Sequence, residues 1–135
     1  MRLGHHLLVL SSLVGSLSAT YAATPVDTLL QEYRQQGANH FDAANGKSLW
    51  IQKVPSGTPP RVRSCAGCHS VDPRQTGKHV RTGKAIKPLA PSVNANRLTD
   101  IGEIRKWLQR NCKWTLGREC TPQEKGNVLM FLSSL

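Results

Sequence analysis

Apolar positions recur at helical spacing in four stretches of this chain and nearly vanish between the second and the third. Val26, Leu29, Leu30 and Tyr33 form one stripe, which predicts a helix from Pro25 to Gln36 that Gly37 stops. Phe41, Leu49, Trp50 and Ile51 mark a second helical stretch near Asp42 to Gln52. Its Asn45-Gly46 pair reads two ways, as a turn signal or as a place where a helix without a side chain lets another approach. Ile101, Ile104, Trp107 and Leu108 predict a third helix, opened by Asp100 with Glu103 three residues later and ending near Asn111. Thr121-Pro122-Gln123-Glu124 matches a capping box with proline in the first helical position. Val128, Leu129, Phe131, Leu132 and Leu135 then supply an apolar side, which we expect to pack against the Gly46 helix.

From Pro55 to about Leu98 the chain is rich in Pro, Gly, Ser and Asn, with few apolar residues apart from the stretch around Ile86 and Leu89. So long an irregular segment is unusual in a small domain unless it wraps something other than protein. Inside it lies Cys65-Ala66-Gly67-Cys68-His69. C-x-x-C-H is the spacing of a c-type haem attachment: two thiols three positions apart add to the vinyl groups of one porphyrin, and the adjacent imidazole becomes the proximal iron ligand. The porphyrin would supply the apolar partner that the local sequence lacks.

The first 23 residues give the motif its context. Arg2 is a short positive region, Leu7 to Leu17 an apolar one, and Thr20-Tyr21-Ala22-Ala23 offers small residues for cleavage after Ala22 or Ala23. A cleaved leader implies export, to the periplasm in a bacterium, and leaves residues 24–135 as one domain. The apolar stretch, roughly a dozen residues, is too short to span a bilayer, and no later run reaches about 18 apolar residues. The mature chain is therefore expected to be soluble, with no membrane insertion.

The net charge is +10, of which Arg2 contributes one. Lys53, Arg61, Arg63, Arg74, Lys78, Arg81, Lys84 and Lys87 face only Asp72 over the segment they span. Such a surface steers acidic partners, or is simply a solvated face. Nucleic acid is not an expected partner, because no aromatic-interleaved basic stripe or recognised binding motif is present.

With Cys65 and Cys68 assigned to haem, Cys112 and Cys120 are left to each other, and an oxidising compartment allows a disulfide between them. Loop-entropy arithmetic gives such a closure roughly 2.5 kcal/mol. A four-cysteine zinc site would want a closer second pair. A thioredoxin-like redox pair would want a βαβ setting.

What fills the sixth iron position decides the function. Beyond Met1, the one methionine is Met130, placed in the last helix among core positions, where it reads as packing. His40 and His79 read as surface histidines, and individual lysines are strongly hydrated. Asn111 stands at the end of a buried face beside Cys112, and a polar group there needs a partner. A cap or a buried hydrogen bond would serve it as well as iron would.

Ser64 to Leu132 resembles the family of high-spin, oxygen-binding monohaem cytochromes c typified by the Sphaeroides haem protein. The likeness is carried by CAGCH at Cys65 to His69, RTGKAIKPLAPS at Arg81 to Ser92, WLQRNC at Trp107 to Cys112 and LGRECTPQEKG at Leu116 to Gly126. The last two segments are absent from generic cytochromes c. The N-terminal helices resemble the family more weakly, and the stretch around His79 is not one of its signatures.

The resemblance implies an all-α, class I cytochrome c-like domain wrapped around one covalent haem c. It implies that Asn111 is the distal ligand of the oxidised protein and that Cys112 pairs with Cys120. It further implies that the amide leaves on reduction, so that O2, NO or CO can bind, and that a dihaem cytochrome c donates electrons. In related cytochromes a proline carbonyl orients the proximal imidazole, which makes Pro88 the expected partner of His69. Two functional classes follow: a gas-binding haem protein with an exchangeable Asn111, and a simple electron carrier with a permanent His79 or lysine ligand. An open haem binds oxygen without being an enzyme, so no catalytic residue is assigned.

Overall fold

The computed structural model describes residues 22–135 other than Pro60. The expected leader falls almost wholly outside them; Ala22 and Ala23 are exposed. Five helices and two small hairpins follow: α1 (Pro25–Gln35), α2 (Ala43–Ile51), β1 (Val54–Ser56), β2 (Arg61–Arg63), α3 (Ala66–His69), β3 (Gly77–Lys78), β4 (Ala85–Ile86), α4 (Ile101–Leu116) and α5 (Pro122–Ser133).

Side-chain caps explain where the long helices begin. Thr24 and Asp27 form a reciprocal capping box at α1, and Thr121 and Glu124 do the same at α5, each with proline in the first turn. Asp42 accepts from the Asn45 N–H at 2.7 Å and Asp100 from the Glu103 N–H at 2.7 Å, opening α2 and α4. The Asp42 cap settles the double reading of Asn45-Gly46 in favour of helix.

Two apolar clusters make the core. Leu29, Leu30 and Tyr33 of α1 meet Phe41, Ile104 and Leu129; Trp50 of α2 meets Val128, Phe131 and Leu132 of α5. Leu98 and Leu108 pack against both. Leu29 and Leu129 lose nearly all contact with water, which stabilises by about 1.5–3 kcal/mol for each side chain. Glycines allow the closest approaches: a β-carbon on Gly126 would sit 2.2 Å from the Phe41 ring.

Three expectations need correction. The middle segment is not wholly irregular, since β1 pairs antiparallel with β2 and β3 with β4; strands of two and three residues are too short to leave an alternating pattern. The third helix runs past Asn111 to Leu116 and is closed by Gly117 at a φ of 72°, the left-handed conformation favoured at helix ends. Asn111 is therefore an interior residue of α4. Trp107 is not on a buried face but 47% exposed, its indole N–H donating to Glu103 at 2.9 Å. No helix among the described residues is long and apolar enough to cross a membrane.

Candidate haem site

Cys65 precedes the single turn of α3, and its carbonyl accepts from the backbone N–H groups of Cys68 (3.2 Å) and His69 (3.0 Å). One turn brings side chains three apart to the same side. Both thiols are free, Cys68 buried and Cys65 half-buried.

The turn is held from two directions. Ser70 ends it at a φ of 69°, and its carbonyl accepts from the Trp50 indole N–H at 2.9 Å, tying α3 to α2. The Trp50 and His69 rings lie 5.7 Å apart. On the other side the β3 backbone presses in at Gly77, where a β-carbon would fall 2.1 Å from the Cys68 carbonyl oxygen.

Burial lowers the His69 pKa to about 4, helped by the nearby charges of Arg97 and His79. At neutral pH the ring is an uncharged imidazole, the form that binds a metal. Its Nδ1 is buried and has no hydrogen-bond partner among the described residues. A buried polar atom left in that state costs about 1–3 kcal/mol. The expected bond to Pro88 is not formed: that carbonyl accepts from Asn94 Nδ2 at 3.0 Å and Arg97 Nε at 2.9 Å, which occupies its lone pairs.

Burial also pushes the Cys65 thiol up to about 11, partly offset by the Thr115 hydroxyl beside it. The thioredoxin-like alternative wants a βαβ setting, whereas the motif lies between two short antiparallel hairpins. The four cysteines do not converge as zinc ligands either, because Cys112 and Cys120 are joined to each other, with Cα atoms 5.5 Å apart.

The helix α4 comes near the motif at Thr115. Thr115, beside the Cys65 sulfur, lies one turn beyond Asn111, so the two share a helix face. Asn111 is half-buried, and among the described residues its side-chain amide has no hydrogen-bond partner. The other ligand candidates are occupied or remote. His79, in the β3–β4 turn, accepts at Nδ1 from the backbone N–H groups of Thr82 (3.2 Å) and Arg81 (3.3 Å). His40 is exposed, with its carbonyl bound to Gln123 of α5. Met130 is partly buried against the α1 cluster.

A half-buried imidazole whose buried Nδ1 has no partner among the described residues, two free thiols on one turn, and an amide likewise without a partner among them fit a covalently attached haem. Sequence reasoning missed the supports of this set: the Trp50 indole, Thr115, and Arg97, whose guanidinium holds both the Lys87 and Pro88 carbonyls. A half-buried arginine followed by Leu98 at a φ of 60° leaves no periodic trace.

The chain is 36% identical over 127 residues to the cytochrome c-type protein SHP of Cereibacter sphaeroides, spanning 94% of this chain and 96% of that one. It belongs to the SHP family of c-type cytochromes. A family model described as a domain of unknown function (DUF1924) matches residues 36–132. The structure of oxidized SHP, an oxygen binding cytochrome c, superposes with a TM-score of 0.74 at 35% identity, covering 84% of this chain and 100% of SHP. Oxidized cytochrome c'' from Methylophilus methylotrophus superposes with a TM-score of 0.71 at 30% identity, covering 82% and 94%. This SHP relative is accordingly an all-α, class I cytochrome c-like protein and a monohaem c-type cytochrome, with one covalent haem c as cofactor.

Proposed function

We propose that residues 1–23 are a cleaved leader and that residues 24–135 form a periplasmic cytochrome in which Cys65 and Cys68 carry the haem, His69 is the proximal ligand and Asn111 is an exchangeable distal ligand. The observation that carries this reading is the amide of Asn111, without a hydrogen-bond partner among the described residues, on the α4 face whose next turn carries Thr115, the residue beside Cys65. When bound, the haem supplies an iron that cycles between ferric and ferrous and can take a diatomic gas.

The chain's own residues would set the rest. Neutral His69 would hold the iron from one side, and the weakly basic Asn111 amide would cap it in the ferric protein and give way on reduction, leaving a position that could take O2, NO or CO. The Cys112–Cys120 disulfide, adjoining Asn111, limits how far the released side chain travels. The solved oxygen-binding relative and the solution study of cytochrome c'', which concerns haem-ligand detachment, support a labile distal side.

A dihaem cytochrome c is the proposed electron donor. Lys78, Arg81, Lys84 and Lys87 are exposed around the β3–β4 hairpin, and none has an ion-pair partner among the described residues. Such a face suits an acidic partner. The alternative carrier with permanent His79 ligation would have to break the hydrogen bonds that Nδ1 accepts or bind through the other nitrogen.

Asn111→Val tests the assignment. The variant should give a ferric protein that takes up added azide at once, without the slow phase that departure of an internal ligand imposes. An unchanged ferric spectrum and unchanged azide uptake would remove Asn111 from the iron.

A further inference from the structure

The helix that carries Asn111 is fastened at its C-terminal end by a residue adjoining the haem motif. The last four carbonyls of a helix lack intrahelical partners. In α4 one of them, that of Trp114, accepts from Arg63 Nη1 at 2.7 Å. The same guanidinium lies over the Trp114 indole, 4.3 Å from the ring centroid. A planar guanidinium can donate in plane and stack at once, which an ammonium cannot.

Arg63 is itself held in place. It pairs with Val54 at the open end of the β1–β2 hairpin. Its side chain passes Gly57 so closely that a β-carbon there would lie 3.1 Å from Nη2. Two residues on is Cys65, whose sulfur lies beside Thr115 of α4. The hairpin that leads into the attachment turn is thus tied to the C-terminal half of α4 through Arg63–Trp114, next to Thr115 on the same helix. Asn111 lies three residues before Trp114 and four before Thr115.

We propose that Arg63 is a positioning residue that holds the Asn111 turn of α4 at a fixed separation from the Cys65 anchor, so that the released amide returns to the same place on reoxidation. The proposal rests on the reading of Asn111 as distal ligand. Arg63 acts through the helix, by its contacts with Trp114.

The test uses the haem-loaded protein and compares Arg63→Gln, Arg63→Lys, Trp114→Leu and Asn111→Val. Azide uptake by the ferric form reports how often the distal position is open, and the return of the resting spectrum after rapid reoxidation reports the amide's journey back. Arg63→Gln should raise the azide uptake rate about tenfold and slow the return. Arg63→Lys should restore part of the effect by keeping a donor. Trp114→Leu keeps the backbone acceptor and should fall between Arg63→Gln and the unsubstituted protein, which also covers the case in which Arg63→Gln folds poorly.

If Arg63→Gln and Trp114→Leu lower the melting temperature while uptake and return stay unchanged, the role is structural and the proposal is overturned. If Asn111→Val itself changes neither the spectrum nor uptake, the ligand reading fails and takes the proposal with it. If Asn111→Val opens the site but Arg63→Gln does not, only the Arg63 proposal fails.

Discussion

Gly46 of α2 meets the Asn127 carbonyl of α5 so closely that a β-carbon on Gly46 would lie 2.0 Å from the oxygen. The same atom would fall 2.8 Å from the Phe131 β-carbon. Asn127, buried, also accepts from the Asp42 N–H through its side chain at 2.9 Å, so the contact locks both the crossing and the start of α2. Gly46→Ala would gain helix propensity of up to about 1 kcal/mol. Overpacking costs typically 1–3 kcal/mol and sometimes more, and here backbone must move. We predict a net loss of about 2 kcal/mol in chemical denaturation.

The disulfide between Cys112 and Cys120 closes a short loop that includes the end of α4. Replacing both cysteines with serine avoids a stray thiol beside the haem anchors. The double variant should lose about 2.5 kcal/mol, read as a lower denaturation midpoint. It should also take up azide faster in the ferric form if the bridge limits the excursion of Asn111. Loss of stability with unchanged uptake would separate the two roles.

Much of this was legible because the chemistry is local. The capping box at Thr121, the stripes of α1 and α5, and the C-x-x-C-H turn are each written within a few consecutive residues. The end of α4 was not: Asn111-Cys112 reads as a stop because both have modest helix propensity, whereas the disulfide and the Gly117 cap carry the helix onward. The Pro88 contact failed for a similar reason. Arg97 and Asn94, nine and six residues beyond Pro88, take its carbonyl, and no periodicity encodes that competition. Trp50 looked like one apolar residue among several, while its N–H supports the attachment turn from 20 positions away.

Acid should weaken the start of α5. Glu124 sits below the usual carboxylate range because Arg118 binds it at 2.7 Å through each of two nitrogens, with the Thr121 N–H adding a third donor and partial burial opposing. A carboxyl lowered in the folded state contributes stability that is present above its unfolded value, about 4.3. That stability is lost as pH falls through the lower folded value. Glu124→Gln should therefore be less stable than the unsubstituted protein at pH 7, and the gap should close in acid. A gap independent of pH, measured by urea midpoints, would show that the charge does not matter there.

His79 provides a check on the competing ligand. Its Nδ1 organises the β3–β4 turn by accepting from Arg81 and Thr82. His79→Ala should leave the ferric spectrum unchanged and lower stability by about 1 kcal/mol, the ordinary value of a hydrogen bond. A spectrum that shifts to an open form would make His79 the sixth ligand.

Departure of Asn111 on reduction is read from the optical spectrum of the purified protein after chemical reduction, before and after carbon monoxide is added. The Asn111 reading predicts a high-spin ferrous spectrum that changes at once with carbon monoxide, because the amide has already left. A sharp low-spin ferrous spectrum indifferent to carbon monoxide would contradict it and describe an electron carrier with a permanent ligand.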